Sequence, residues 1–272
     1  MKVKSLIKSQ IKRYTMPATQ RRIVPFRGGN FFADSGNKIE ERLLKGDYDA
    51  ESMDLLDMLV QPGHICMDIG TNIGVYTVMM ALRAGRAGAV HSFEPVNHIR
   101  RRAKLNIQLN GCRNVTVNDF ALGAEPGRLT MLQVKEGEFR GGTSSILETE
   151  AIAAMGRDHF DEVEVDIRTL DSYVIEAGID RLDFIKMDVE GFELSVLKGA
   201  ERTLRELRPA ILFEHDRKRL TKVGVDEAEF GQIFAQAGYT VIAPVSVGGI
   251  FTTREYRFDG KGAKRDMLAL PL

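Results

Sequence analysis

Apolar side chains at Met53, Leu56, Leu59 and Val60 recur at helical spacing, and Pro62-Gly63 ends the run, so the pattern predicts a helix over 50–60. Beyond it, short apolar runs alternate with amphipathic stretches. HICMDI (64–69), AVHSFE (89–94), RNVTVND (113–119), LDFIKMD (182–188) and AILFEH (210–215) predict strands. Residues 73–84, 96–110, 170–177, 191–207 and 226–237 predict helices, with terminal strand segments after the last. In 191–207 the stripe Leu194, Leu197, Ala200, Leu204 and Leu207 faces a core, and Pro209 follows its end. Residues 127–133 and 162–170 alternate like partly exposed strands around a loop-like stretch, GEFRGGTSS. Strands alternating with helices predict an α/β fold, a doubly wound and mostly parallel sheet covered on both faces.

The rest of the composition narrows the class. The 272 residues are 43% hydrophobic and 28% charged, ordinary for a soluble globular chain. We divide them into a basic N-terminal extension or cap, 1–50, and one domain, 51–272. Residues 1–27 carry eight Lys or Arg and no acid, and read as a solvated basic segment. Over the whole chain 38 basic residues balance 38 acidic ones, so no overall field draws it to nucleic acid. No Asn-Pro-Pro-aromatic base-flipping motif is present either. Cys66 and Cys112 are too few for a disulfide framework and suit a reducing cytoplasm. No apolar run approaches a membrane span, and no signal-peptide core precedes the domain.

In such sheets ligands bind at the carboxyl ends of the strands, so the strand ends carry the chemistry. The first predicted strand ends in Asp68-Ile-Gly70-Thr-Asn72-Ile-Gly74 and turns into a helix; glycines there let a ligand approach the backbone, and the helix start offers free N–H groups. Glu94 ends the second strand 20 residues after Gly74, where a carboxylate can accept both hydroxyls of a ribose. Together these point to an adenosine-containing ligand. A G-x-G-x-x-G dinucleotide fingerprint would need glycine at 70, 72 and 75, and only Gly70 matches; Asp68 would also repel a pyrophosphate. S-adenosylmethionine therefore fits better than a nicotinamide cofactor. An NAD(P)-dependent oxidoreductase and a cofactor-binding protein without catalysis stand as alternatives.

The motifs D-I-G-T-N-I-G-V-Y-T (68–77), F-E-P (93–95), N-D-F-A-L-G (118–123), G-G-T-S-S (141–145) and I-K-M-D-V-E-G-F-E-L-S-V-L-K-G-A (185–200) resemble the FkbM family of class I S-adenosylmethionine-dependent methyltransferases. The resemblance runs from about residue 64 to 215. It implies a Rossmann-like sheet of seven strands with an antiparallel C-terminal strand, and O-methylation of sugars, glycans or secondary-metabolite hydroxyls. It places Asp68, Gly70, Asn72 and Gly74 around the amino-acid portion of the cofactor, Glu94 on its ribose, and Asp119, Phe120 and Ala121 beside its adenine. Phe120 reads equally well as a core aromatic.

Transfer to an alcohol benefits from a base that takes its proton. Asp188, Glu214 and His215, at the ends of the fourth and fifth strands, are the candidates, and Asp188 also borders the cofactor. Glu190 and the loop residues Thr143, Ser144 and Ser145 are candidates for the acceptor. Glu193 reads as a helix-start acid that favours the macrodipole. A magnesium ion held by Asp188, Glu190 and Glu214 stays open, and no His/Cys group has zinc spacing.

Overall fold

The computed structural model describes residues 22–34, 38–135, 157–222, 224–247, 250–256, 258 and 265–272. It opens with a hairpin, β1 (Arg22–Phe26) and β2 (Gly29–Ala33), followed by helices α1 (Lys38–Lys45) and α2 (Ala50–Leu59). Arg27 and Gly28 have φ of 43° and 88°, the left-handed pair that a two-residue hairpin needs for its strands to twist together. Then strand and helix alternate: β3 (Ile65–Ile69), α3 (Val75–Ala84), β4 (Ala89–Phe93), α4 (Asn97–Leu109) and β5 (Val115–Asn118). A short β6 (Ala121–Leu122), β7 (Gly127–Val134) and β8 (Phe160–Arg168) form a separate three-stranded sheet in the order β6-β8-β7. The chain returns through α5 (Leu170–Glu176), β9 (Phe184–Met187), α6 (Glu193–Lys198), α7 (Glu201–Glu206), β10 (Ala210–His215), α8 (Arg217–Lys222) and α9 (Ala228–Gln236). It ends in β11 (Tyr239–Val247), β12 (Ile250–Glu255) and β13 (Arg265–Pro271).

The main sheet has the order β12-β11-β13-β10-β9-β3-β4-β5. Strands β5, β4, β3, β9 and β10 are parallel, while β13, last in the chain, runs antiparallel between β10 and β11. The seven-stranded pattern with an antiparallel C-terminal strand is thus present, and β12 adds an eighth strand at the edge. Chain order reverses between β3 and β9, which opens a crevice at their carboxyl ends.

The expected single helix over 191–207 is two helices. The Gly199 carbonyl accepts from the Asp171 N–H (3.0 Å), and the Asp171 carboxylate accepts from Arg202 and Thr203 N–H at 2.9 and 2.8 Å, so a residue of α5 caps α7. The apolar stripe survives the break: Leu194, Leu197, Ala200 and Leu204 are all buried in one core cluster.

Each strand feeds two cores. Met67, Ile69, Ile185, Met187, Ile211 and Phe213 pack under α5–α7 and α9, and Cys66, Val90, Phe184 and Leu212 pack with α2, α3 and the hairpin residues Phe26, Phe31 and Ala33. Burying each such large side chain contributes about 1.5–3 kcal/mol. On the second face the apolar layer gives way, toward the strand ends, to Asp68, Lys186, Glu214 and Asp266. The register sets Asp68 beside Lys186 and Glu214 beside Asp266.

Candidate active site

A cleft of about 790 Å³ opens at the carboxyl ends of β3, β4, β9 and β10. Of the residues predicted from the sequence, Asp68, Gly70, Asn72, Glu94, Ala121, Asp188, Glu190 and Glu214 line it. Gly74, Asp119, Phe120 and His215 are not among its lining residues. Thr143, Ser144 and Ser145, like the basic segment through residue 21, lie outside the described residues.

One half of the cleft is built by the turn after β3. Gly70, at φ 88°, sits so close to β9 that a Cβ would lie 1.9 Å from the Asp188 carbonyl oxygen, so only glycine fits. Its N–H and that of Thr71 donate to the Phe93 carbonyl at 3.1 and 3.0 Å, which ties the turn to β4. Asp68 accepts from the Thr77 hydroxyl; burial pushes its carboxyl up to about 6, against the pull of Thr77 and the Lys186 ammonium. Glu94 accepts backbone N–H groups from Asn72 (2.9 Å) and Val96 (3.0 Å), one on each oxygen. Burial raises its carboxyl to about 7 despite both bonds. Each oxygen keeps a free lone pair for a ribose hydroxyl. Ile99, Ala121, Leu122 and Met131 supply an apolar wall beyond Glu94, suited to a purine face.

Phe120 packs instead edge-on against Phe93, with ring centroids 5.7 Å apart, and the Arg168 guanidinium lies 4.4 Å over its ring. It is a core aromatic here. Asp119 is exposed, and Gly74 packs its Cα side against Ala103 of α4, with a Cβ position 3.2 Å away.

The other half gathers charge. Asp188 follows β9 on the same face as Lys186, and among the described residues no side chain or N–H donates to its carboxylate. Burial is the main cause that holds this carboxyl well above the usual range; Lys186 pulls it down, while Glu214, Glu190 and Asp266 push it further up. Arg219 bridges Glu190 and Glu214, the latter at 2.8 Å. His215 occupies the opposite face of β10. It is fully buried among Phe230, Tyr256 and Phe258, with Nε2 3.6 Å from Glu227, and burial lowers its proton affinity. Successive strand residues point to opposite faces, so Glu214 and His215 cannot both face the cleft.

Among the described residues, the acids within reach of one another are Asp188, Glu193 and Glu214, whose oxygens lie within 4.8 Å, and not the set containing Glu190. Glu193 accepts the Val189 and Gly191 N–H groups on Oε1, and Glu214 accepts from the Arg219 guanidinium, so a magnesium ion at this trio would have to compete with Arg219 for Glu214. Burial carries Glu193 up to about 7.

Several lining residues are not among the site candidates that the sequence offers: Tyr48, Asp49, Ser52, Tyr76, Lys186 and Asp266. Asp49 accepts from the Tyr76 hydroxyl at 2.5 Å, and Asp266 accepts from Ser52. Lys186 alone offered a signal, a cation inside the apolar run of a buried strand.

The parallel strands with their order reversal and the antiparallel last strand are the fold pattern of class I S-adenosylmethionine-dependent methyltransferases. Within that class the chain belongs to the FkbM family: residues 68–241 match the methyltransferase FkbM domain. It is 25% identical over 206 residues to the 31-O-demethyl-FK506 methyltransferase FkbM of Streptomyces tacrolimicus, covering 68% of this chain and 75% of that one. To the 2-O-methyltransferase NoeI of Sinorhizobium fredii it is 24% identical, over 57% of this chain and 64% of the other. A 28% identical stretch matches the AMB antimetabolite synthetase AmbE of Pseudomonas aeruginosa, covering 59% of this chain and 9% of that protein. The match to Methyltransferase 1 of Beauveria bassiana spans 57% of that protein's length. A solved methyltransferase FkbM from Methylobacillus flagellatus aligns over 87% of this chain and 55% of its own, at 18% identity and a TM-score of 0.41.

Proposed function

We propose that this chain moves the methyl group of S-adenosylmethionine to a hydroxyl oxygen of a small molecule or glycan, with Asp188 taking the proton. When bound, the cofactor supplies a methyl carried on a sulfonium: the C–O bond forms as the C–S bond breaks, and the sulfur is left a neutral thioether. Glu94 would hold the ribose, the Gly70–Asn72 turn the amino-acid end, and the Ala121 side the adenine. Asp188 carries the reading, because its carboxylate borders the cleft and, among the described residues, accepts from no protein donor, which leaves it open to a proton from a bound hydroxyl. Glu214 is a weaker candidate since Arg219 engages it, and His215, packed against Phe230 on the other face of β10, is not among the residues that line the cleft. Transfer to oxygen is supported by the names of two relatives, a 31-O-demethyl-FK506 methyltransferase and a 2-O-methyltransferase. Among the described residues no helix is long and apolar enough to cross a membrane, and both cysteines are free, which suits a reducing compartment.

The test is methyl transfer from labelled S-adenosylmethionine to sugars, glycolipids and polyketide alcohols. Asp188→Asn should lose roughly 10²–10⁴-fold in turnover while keeping its affinity for S-adenosylhomocysteine. Full turnover in that variant would remove Asp188 from the mechanism.

A further inference from the structure

Lys186 stands in the middle of β9, an ammonium inside a strand whose other side chains are core. Its side chain is 1% exposed, yet it is one of the residues that line the cleft. Among the described residues its one hydrogen bond is to Asp266, at a long 3.5 Å, and its Nζ lies 5.1 Å over the Tyr76 ring. An ammonium has three donors, so among the described residues two of them meet no protein acceptor. Burying a cation on these terms is expensive, and evolution of a stable core alone would place an apolar residue there. Burial disfavours its charge, but Asp266, Asp188, Asp49 and Glu214 outweigh that and keep it protonated.

Lys186 and Asp188 are two residues apart and share a face, so the unspent donors border the same space as the carboxylate that takes the acceptor's proton. We propose that Lys186 is a catalytic residue of this site, presenting its ammonium to the acceptor oxygen and stabilising the negative charge that builds there as the proton leaves for Asp188. This rests on the methyl-transfer reading of the cleft. The division of labour is chemically complete: one group accepts the proton, the other meets the oxygen that loses it, and Asp266, itself held by Ser52, orients the ammonium.

Two ligands read the charge at that position without an acceptor. S-adenosylhomocysteine is uncharged where the methyl would be, and sinefungin carries an ammonium there. Calorimetric titration of the whole chain gives the ratio of their affinities. Removing a facing cation in Lys186→Met should raise the preference for sinefungin roughly tenfold or more, whereas Lys186→Arg should leave it near wild type. Asp266→Asn, which removes an anion, should move the ratio the opposite way. A purely structural role would weaken both ligands together and leave the ratio fixed; that result in Lys186→Met overturns the proposal. If Lys186→Met does not fold, an unchanged ratio in Asp266→Asn overturns it instead. A wild-type protein that binds neither ligand defeats the methyl-transfer reading itself, and this inference falls with it.

Discussion

On the proposed reading, Glu94 is both a structural residue and a ligand contact. Its two backbone hydrogen bonds pin the turns after β3 and β4 together, and the side chain lines the cleft. Glu94→Ala should weaken binding of S-adenosylhomocysteine by about 1.5–3 kcal/mol, the scale of a charged hydrogen bond, in a calorimetric titration. An undiminished affinity would place the ribose elsewhere. Because ribose hydroxyls donate, they favour the ionised carboxylate, and a group held at about 7 is substantially protonated below that pH. Affinity should therefore rise as pH climbs through about 7, and this dependence should vanish in Glu94→Gln. Glu94 was legible from its spacing after the glycine turn. His215 was not, for a physical reason: in AILFEH both faces of the strand are buried, so no alternation of polar and apolar residues marks which end residue faces the ligand. Lys186 went unread in the opposite way, since an isolated lysine in an apolar run declares that it is unusual without declaring what it meets.

At the scale of elements, the strands and helices from 64 to 215 follow the hydrophobic pattern closely, because burial on one or two faces dictates it. Two departures come from contacts that periodicity does not encode. The β1–β2 hairpin has Arg27 where Asn, Asp or Gly usually supplies the first left-handed residue; Arg27 is held there by Asp57 at 2.8 Å and by Asp54, both on α2. The break between α6 and α7 arises at Gly199, whose Cβ position would lie 2.0 Å from the Gly123 carbonyl oxygen. Backbone meets backbone there, joining the start of α7 to the loop after β6. Gly199→Ala should thus cost at least the 1–3 kcal/mol typical of overpacking, read as a lower denaturant midpoint with an unchanged slope. Gly178→Ala supplies the contrast: its φ of 64° disfavours alanine, but a Cβ there meets nothing within 4 Å. Gly199 itself has an ordinary φ of −88°, so any loss there reports the close approach, and a Gly199→Ala variant as stable as wild type would show that this approach contributes nothing.

For the whole molecule, the cleft stores unfavourable charge. Asp68 at about 6, and Glu94 and Glu193 at about 7, are each raised first by burial, from ordinary values of 3.8, 4.5 and 4.5. A carboxyl whose proton affinity is higher folded than unfolded makes the folded state bind more protons across the interval between the two values. Stability from these groups is present in full below their ordinary values and is lost as pH rises through about 6 to 7. Each unit of difference is worth about 1.4 kcal/mol, so the three together make a loss on the order of several kcal/mol. The melting temperature without ligand should fall as pH is raised from about 5.5 to 8. Glu193 isolates the cause, because Glu193→Gln keeps an oxygen to accept the Val189 and Gly191 N–H groups but cannot ionise. That variant should show a shallower fall with pH and the larger gain in stability at the alkaline end. A slope identical to wild type would mean that Glu193 titrates at its ordinary value and that the acids beside it are better solvated than their burial implies.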